Sequence, residues 1–172
     1  DNIGEPVDYT ENVDAVLISC FTPQAQRAYE IADAFRKEGT TVVLGGIHPS
    51  GAPQEALSHA DAVCVGEVEP VWDQILADLR KNKAQGIYQG EVLSDLSKVP
   101  SPRWRLFNHS NYLWEAGLVW TTRGCPVRCS GCPIPNKEDV ALRYRPIDDV
   151  IKDIKNLPFR EFYLTDDTVM LP

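Results

Sequence analysis

Three closely spaced cysteines are the residues of this chain that are best suited to do chemistry. Cys125, Cys129 and Cys132 follow the pattern C-x3-C-x2-C on one short segment. Three thiolates can hold three irons of a four-iron cluster and leave the fourth iron without a protein ligand, whereas clusters that only carry electrons normally have a cysteine on every iron. A small molecule can coordinate the uncapped iron. The spacing therefore predicts a 4Fe-4S cluster that takes part in a reaction.

Other uses of these cysteines fit their context less well. Disulfide frameworks are typical of small secreted domains that are dense in cysteine, and this chain has 5 cysteines in 172 residues. A structural zinc site needs a fourth Cys or His nearby, and the closest candidate, His109, lacks zinc-ribbon spacing. A redox pair formed by Cys129 and Cys132, which have C-x-x-C spacing, stays open as the competing interpretation.

The sequence around the cysteines favours a constrained loop that follows a strand. Residues 118–120 form an apolar run that predicts a buried strand. Arg123 and Arg128 place positive charge beside the thiolates, which favours the anionic ligands of a cluster. Glycines and prolines disfavour a helix throughout the segment, namely Gly124, Pro126, Gly131, Pro133 and Pro135.

The first part of the chain alternates between strand and helix patterns. Apolar runs at residues 13–20, 41–44 and 62–65 predict three strands, and residues 24–37 and 70–79 carry apolar side chains at helical spacing. Such alternation indicates a parallel sheet with right-handed crossover connections. Ligands of these sheets bind at the carboxyl ends of the strands. The sequence thus predicts a Rossmann-like α/β domain with a ligand site at that edge.

Small and polar residues follow each of the three predicted strands. A glycine there permits close backbone approach, although a single glycine is also an ordinary turn residue. Cys20 and Cys64 lie inside the apolar runs, where a free cysteine usually behaves as a small buried hydrophobic residue. The candidate ligand-binding residues are Ser19 and Thr22 after the first strand, Gly45 and Gly46 after the second, and Gly66 and Glu67 after the third.

Both parts of the chain resemble the cobalamin-binding branch of the radical S-adenosylmethionine (SAM) enzymes. The cysteine loop is similar to the cluster motif of that superfamily, except that Gly131 stands where the family usually has an aromatic residue. The resemblance continues downstream through Arg143-Tyr144-Arg145-Pro146, a predicted helix at 147–156 and the segment 161–168. The strand ends that resemble the family's cobalamin-binding domain are Ile18-Ser19, Leu44-Gly45-Gly46-Ile47-His48-Pro49 and Val65-Gly66-Glu67.

The resemblance implies a division of the chain into three parts. These are a cobalamin-binding-like α/β domain at residues 1–80, a connector at 81–116, and the first units of a (βα) radical SAM partial barrel at 117–172. We expect the first domain to lack its opening strand and helix and the barrel to be truncated, because a complete barrel is longer than residues 117–172. The aromatic residues expected to pack the connector against the domains are Trp104, Phe107, Tyr112 and Trp114.

The resemblance also implies an activity and its cofactors. The intact enzyme would be a cobalamin-dependent radical SAM methyltransferase that acts on an unactivated carbon, with a 4Fe-4S cluster on the three cysteines, SAM and cobalamin. Asp166 and Asp167 would contact the amino group of SAM, or would serve as a strand-end turn or helix cap. Two alternatives stay open: a radical SAM cyclase or rearrangement enzyme of the same architecture, and a non-catalytic corrinoid- or metal-binding fragment. No catalytic residue is assigned, and the truncated chain alone is expected to be inactive.

The histidines are weaker candidates. His48 invites the role of lower axial ligand of cobalt, but in cobalamin proteins with such a ligand the histidine follows the first strand of the domain. A loop residue or a contact to the corrinoid tail is therefore the favoured interpretation of His48. His59 and His109 are expected to be exposed or packed.

Composition narrows the partners and the compartment. The net charge of −8 argues against a nucleic-acid partner, and the sequence shows no membrane-spanning stretch or signal peptide. Reduced cysteines and an oxygen-labile cluster indicate the cytoplasm. We expect an electron donor such as ferredoxin or flavodoxin and a small-molecule, lipid, tetrapyrrole or peptide substrate. The acidic residues at 148, 149 and 153 are predicted to form a solvated helix face.

Overall fold

The computed structural model describes residues 6–106, 116–127, 129–132 and 142–169. The chain divides into two compact units: a first unit, Val7–Leu93, and a second unit that comprises Asp1–Pro6 and Ser94–Pro172. Several residues discussed above lie outside the described residues: Phe107, His109, Tyr112, Trp114, Arg128, Pro133 and Pro135.

A parallel four-stranded sheet organises the first unit. Its strands pair in chain order and all run in parallel. The predicted Rossmann-like α/β fold is therefore confirmed for this unit. The strands are β1 (Ala15–Ser19), β2 (Thr41–Gly45), β3 (Ala62–Gly66) and β4 (Gly86–Gly90), and the helices are α1 (Ala25–Lys37), α2 (Ile47–Gly51), α3 (Pro53–His59) and α4 (Trp72–Leu79).

The core of the first unit lies on both faces of this sheet. Successive residues of a strand point to opposite faces, so that Val42 and Leu44 of β2 enter one hydrophobic cluster and Val43 enters the other. Helices α1 and α3 cover the first face, and α4 covers the second. Burial of each large apolar side chain contributes roughly 1.5–3 kcal/mol. Residues of the two clusters include Tyr29, Phe35, Val42, Leu44 and Val63 on the first face, and Val43, Cys64, Ile75 and Tyr88 on the second.

Strand β4 lies within the segment that the sequence suggested was a connector. It pairs with β3 over its whole length, and the Tyr88 hydroxyl donates a hydrogen bond to Asp78 of α4 at 2.9 Å. The segment is short and bounded by glycines, so its strand pattern is weak, and the pairing with β3 decides its conformation. The first unit accordingly extends past residue 80 to Leu93.

A parallel pair of strands forms the centre of the second unit. β5 (Gly117–Val119) pairs with β8 (Phe162–Leu164), and helix α5 (Ile147–Lys155) lies between them in the chain. A small antiparallel pair, β6 (Thr122–Arg123) and β7 (Arg143–Tyr144), continues from the end of β5. The predicted order of strand, cysteine loop, helix and strand is present.

Two predictions about burial in the second unit hold for some residues, Val119 and Asp148, and are wrong for one residue each. Leu118 in the middle of β5 is 52% exposed, because only Gly117 and Val119 of this strand point inward. Asp153 is only 5% exposed and its Oδ2 lies 2.6 Å from Nη2 of the buried Arg145, so it does not belong to a solvated face. The ion pair replaces the water that an isolated carboxylate would need.

The connector aromatic that the structure describes is packed. The ring of Trp104 meets the ring of Phe159 edge-on, with 5.6 Å between the ring centroids. None of the helices in the described ranges has both the length and the apolar character that a bilayer span needs.

Candidate cofactor-binding sites

The six candidate ligand-binding residues of the first unit lie at one edge of its sheet. The register sets Ser19 beside Gly45 at the ends of β1 and β2, and it sets Gly66 beside Gly90 at the ends of β3 and β4. Ser19 and Thr22 are exposed, while Gly45 and Gly46 at the end of β2 and the pair Gly66-Glu67 are half-buried. Parallel strands place these residues together at the carboxyl edge, where ligands of such sheets bind. The edge therefore offers exposed hydroxyls and backbone groups to a large ligand.

The conformation of Gly46 brings two of the strand-end loops together. Its φ of 95° is accessible to glycine but not to residues with a Cβ. A Cβ at this position would lie 2.7 Å from the Ser19 hydroxyl oxygen and 3.0 Å from the backbone N and O of Cys20. The absence of a side chain at Gly46 thus lets the end of β1, at Ser19 and Cys20, approach closely.

His48 ties the same two loops together through its side chain. Its Nδ1 lies 3.2 Å from Oγ1 of Thr22, and its Nε2 lies 3.0 Å from the hydroxyl oxygen of Tyr29. The backbone N–H of His48 donates to the carbonyl oxygen of Cys20 at 3.2 Å. A metal ligand needs a nitrogen lone pair that is directed at the metal, and both ring nitrogens of His48 already face hydrogen-bond partners. This geometry supports a structural role for His48 in place of cobalt ligation.

Tyr29, the aromatic partner of His48, also stacks with His59. Burial, with the Glu55 carboxylate as a second cause, raises the pKa of Tyr29 to about 12, so its hydroxyl stays protonated at neutral pH. His59 stacks on the Tyr29 ring with 4.3 Å between centroids, and its Nδ1 lies 2.9 Å from Oδ2 of Asp33. Of the two expectations for His59, exposed or packed, the structure shows a packed ring that keeps 33% of its side chain exposed.

Ser50 and Gly90 contribute to the ends of β3 and β4, and neither was predicted from the sequence. The Ser50 hydroxyl oxygen accepts a hydrogen bond from the Gly66 N–H at 3.0 Å, and Glu67 Oε2 accepts one from the Leu93 N–H at 2.9 Å. A Cβ at Gly90 would lie 1.8 Å from the Glu67 carbonyl oxygen, so only glycine allows this approach. No sequence pattern singles out Ser50, and Gly90 lies on β4, a strand that was not predicted.

The two cysteines of the sheet are buried, as predicted. Burial raises the pKa of the Cys20 thiol, and burial together with the Glu69 carboxylate raises the pKa of Cys64. Both side chains are buried, and the raised pKa values favour their protonated thiol form.

An open groove of about 480 Å³ lies at the opposite end of β2. It surrounds Thr41, the first residue of that strand, and Asp61. The Asp61 carboxylate is already engaged there: Oδ2 accepts from the Val42 N–H at 2.8 Å, and Oδ1 accepts from Arg36 Nε at 3.3 Å. The groove is thus remote from the carboxyl edge where the candidate residues meet.

The three cysteines of the second unit share a loop that begins directly after β6. None forms a disulfide; Cys129 is exposed, and Cys125 and Cys132 are half-buried. The Cys132 N–H donates to the Cys129 carbonyl oxygen at 3.2 Å, which closes a tight turn. Across the described ranges, no three Cys, His, Asp or Glu side chains are gathered closely enough to hold a metal ion. Three accessible thiols on one loop nevertheless fit a cluster as a donor set.

The aspartates after β8 contact the beginning of the cysteine loop. Asp166 Oδ1 accepts from the N–H and the hydroxyl of Thr121 at 2.7 and 3.1 Å, and Asp167 Oδ2 accepts from the Gly124 N–H at 3.1 Å. The predicted contact with SAM is not tested by this geometry. The contacts that the structure shows are long-range hydrogen bonds to residues 121–124, and neither the strand-end turn nor the helix cap of the alternative is among them.

Cationic side chains flank the aromatic residue that precedes the loop. The guanidinium carbons of Arg123 and Arg145 lie 4.6 and 4.4 Å from the centroid of the Trp120 ring. Arg145 Nη1 also donates to the Trp120 carbonyl oxygen at 3.1 Å. Such cation–π contacts contribute about 0.5–2 kcal/mol each. They hold Trp120, which precedes the cysteine loop in the chain.

Comparison with known proteins identifies the first unit. Residues 8–82 match the family model of the B12 binding domain. The chain is 38% identical over 141 residues to the bacteriochlorophyllide d C-8(2)-methyltransferase of Chlorobaculum tepidum, covering 79% of this chain and 31% of that protein. It is 31% identical over 153 residues to the bacteriochlorophyllide d C-12(1)-methyltransferase of the same organism, covering 87% and 33%.

A third relative acts on a different kind of molecule by its name. The chain is 28% identical over 148 residues to the hopanoid C-2 methylase of Rhodopseudomonas palustris, covering 84% of this chain and 28% of that protein. The chain thus spans about a third of the length of the curated relatives that it matches.

The parallel sheet and the family match define the first unit as a B12-binding domain. Residues 8–82 belong to the B12 binding domain family, and the chain is similar over most of its length to the methyltransferases and the methylase named above. Cobalamin fits the carboxyl edge of the sheet, because that edge combines exposed hydroxyls with half-buried glycines at the ends of adjacent parallel strands.

Proposed function

We propose that the protein is a cobalamin-dependent radical SAM methyltransferase that methylates an unactivated carbon. The observation that carries the proposal is the B12-binding match over residues 8–82, on a unit whose predicted ligand residues meet at one sheet edge. Three relatives that are named as methyltransferases or methylases, each similar over at least 79% of this chain, support the same reaction.

The cofactors are assigned to separate units of the chain. Cobalamin is held by the six residues at the carboxyl edge of the first unit: Ser19, Thr22, Gly45, Gly46, Gly66 and Glu67. A 4Fe-4S cluster is held by the thiolates of Cys125, Cys129 and Cys132, whose spacing leaves one iron for SAM. When bound, these cofactors supply single-electron chemistry and a transferable methyl group.

The protein residues bind and orient these groups. The half-buried glycines let the strand-end loops converge, and the exposed hydroxyls of Ser19 and Thr22 are available to polar groups of the corrinoid. Asp166 and Asp167 hold the segment that leads to Cys125. An external reductant such as ferredoxin or flavodoxin would supply the electron.

A tetrapyrrole is the proposed substrate class. The two bacteriochlorophyllide d methyltransferases are 38% and 31% identical to this chain, whereas the hopanoid methylase is 28% identical. The residues that would contact the substrate are not assigned.

The experiment is anaerobic reconstitution of the intact enzyme with iron, sulfide and cobalamin, followed by SAM, a reductant and a bacteriochlorophyllide as substrate. We expect a product with one added methyl group by mass spectrometry, together with release of 5′-deoxyadenosine. Cys129→Ala is the matched control and should abolish both. Deoxyadenosine release with a rearranged, unmethylated product would favour the cyclase alternative, and a methylated product from Cys129→Ala would refute the role of the cluster.

A further inference from the structure

One carboxylate oxygen in the second unit receives four hydrogen-bond donors. Asp166 Oδ1 accepts from the Thr121 N–H at 2.7 Å, the Thr121 hydroxyl at 3.1 Å and the Thr122 hydroxyl at 2.8 Å, and it also accepts from the Thr122 N–H. Hydrogen bonds to a charged acceptor are about twice as strong as neutral ones. The end of β8 is therefore fastened to residues that lie 44 and 45 positions earlier in the chain.

The next residue extends the contact toward the cysteines. Asp167 Oδ2 accepts from the N–H of Gly124 at 3.1 Å, and Gly124 is buried and directly precedes Cys125. On the other side of Asp166, Thr165 donates its N–H to the Val119 carbonyl oxygen at 2.8 Å. Consecutive residues after β8 thus hold consecutive parts of the segment between β5 and the first cysteine.

The second oxygen of Asp166 makes no contact of this kind with the described residues. Oδ2 is buried and has no hydrogen-bond partner within the described part of the chain. The four donors share about two lone-pair sites on Oδ1, so this oxygen has no capacity for another donor. Burying an oxygen without a partner is unfavourable, so the contacts at Oδ1 must offset that cost and fix the orientation of the side chain.

We propose that Asp166 and Asp167 are positioning residues that fix the course of residues 121–124 and thereby place Cys125 as a ligand of the cluster. They act through the hydrogen bonds that hold the loop, a role that does not depend on SAM. The inference rests on the proposed cluster at the three cysteines, and it assigns to the aspartate pair a role that can be separated from nucleotide binding.

The first test measures how firmly the cluster is held, without any turnover. The reconstituted protein is challenged anaerobically with an iron chelator, and the loss of cluster absorbance is followed for the parent, Asp166→Ala, Thr122→Val and the control Asp148→Ala, an exposed aspartate of α5. We expect loss to be faster by roughly tenfold or more in Asp166→Ala and by roughly threefold in Thr122→Val, which removes one donor. Asp148→Ala should match the parent. If Asp166→Ala does not fold, Thr122→Val decides.

The second test separates positioning from nucleotide contact. The electron paramagnetic resonance (EPR) spectrum of the reduced cluster is recorded with and without SAM. Positioning predicts that Asp166→Ala alters the spectrum before SAM is added. A variant with the cluster-loss rate and SAM-free spectrum of the parent, but with weakened SAM binding, would overturn the proposal and return Asp166 to the role of nucleotide ligand.

The third test needs no cluster and therefore distinguishes failure of this inference from failure of the proposed function. Amide hydrogen exchange is measured at Thr121, Thr122 and Gly124 in the metal-free protein. We expect exchange at the two threonines to accelerate by roughly tenfold in Asp166→Ala, and exchange at Gly124 to accelerate in Asp167→Ala. Unchanged exchange would overturn the inference even if the cluster assembles. A parent protein that takes up no cluster would refute the proposed function, whatever the exchange rates.

Discussion

His48 illustrates what a single side chain contributes to the carboxyl edge of the first unit's sheet. Its ring joins Thr22, on the loop after β1, to Tyr29 on α1, and it is only 14% exposed. The sequence located this histidine in a glycine-rich strand end but gave no partner, because its contacts lie 19 and 26 positions away. Residue spacing identifies groups whose members are neighbours in the chain. Contacts between residues that are distant in the chain leave no such local pattern in the sequence.

The first prediction concerns the role of this histidine. His48→Ala removes two side-chain hydrogen bonds, which lowers the free energy of unfolding by about 1–3 kcal/mol at roughly 0.5–1.5 kcal/mol each. It should also weaken cobalamin binding, because Thr22 loses its anchor. The EPR spectrum of bound cob(II)alamin should keep the same axial coordination as in the parent. Loss of a nitrogen hyperfine splitting in His48→Ala would instead make His48 the cobalt ligand.

The second prediction compares two glycines at the two ends of α2. Gly46→Ala should lower the free energy of unfolding by about 1–3 kcal/mol, because its φ of 95° is strained for alanine and the new Cβ would meet Ser19. Gly51→Ala is the control, since a Cβ there meets nothing within 4 Å. Urea unfolding and cobalamin titration of both variants provide the measurement. Equal stability of the two variants would mean that the contact at Gly46 is not formed.

Helices and strands were predictable where periodicity alone determines them. The strands at 41–44 and 62–65 and the helix at 24–37 are present within a few residues of their predicted ends. Strand β4 was missed because its pairing with β3 decides its conformation. Helix α5 was found, but its acidic face was misread, since the partner of Asp153 is Arg145, a residue outside the helix.

The third prediction tests how α5 is held. Asp153→Ala leaves the guanidinium of Arg145 buried without its carboxylate, and the loss of one partner of a buried ion pair costs about 3–5 kcal/mol. Asp148→Ala, on the exposed face of the same helix, should change stability by less than about 0.5 kcal/mol. Urea unfolding, followed by a signal from the second unit, measures the free energy of unfolding of both variants. Similar stabilities for the two variants would show that the ion pair contributes nothing.

The whole chain combines two units whose assignments have different kinds of support. The first unit is identified by a family match and by a sheet whose strand ends agree with the sequence prediction. In the second unit, the cysteine motif was visible because its members are neighbours in the chain, while the aspartates that hold its loop are about 40 positions away and were assigned a different role. The sequence alone left the substrate class open, and the proposal of a tetrapyrrole rests on the names of the relatives, of which the chain spans about a third.

The EPR spectrum of the reduced, anaerobically reconstituted protein, recorded with and without SAM and accompanied by metal analysis, tests the central claim most directly. The account predicts about four irons per chain, no bound zinc, and a signal that shifts when SAM is added. Tetrahedral zinc on the cysteine loop, or an iron–sulfur signal that SAM leaves unchanged, would contradict it.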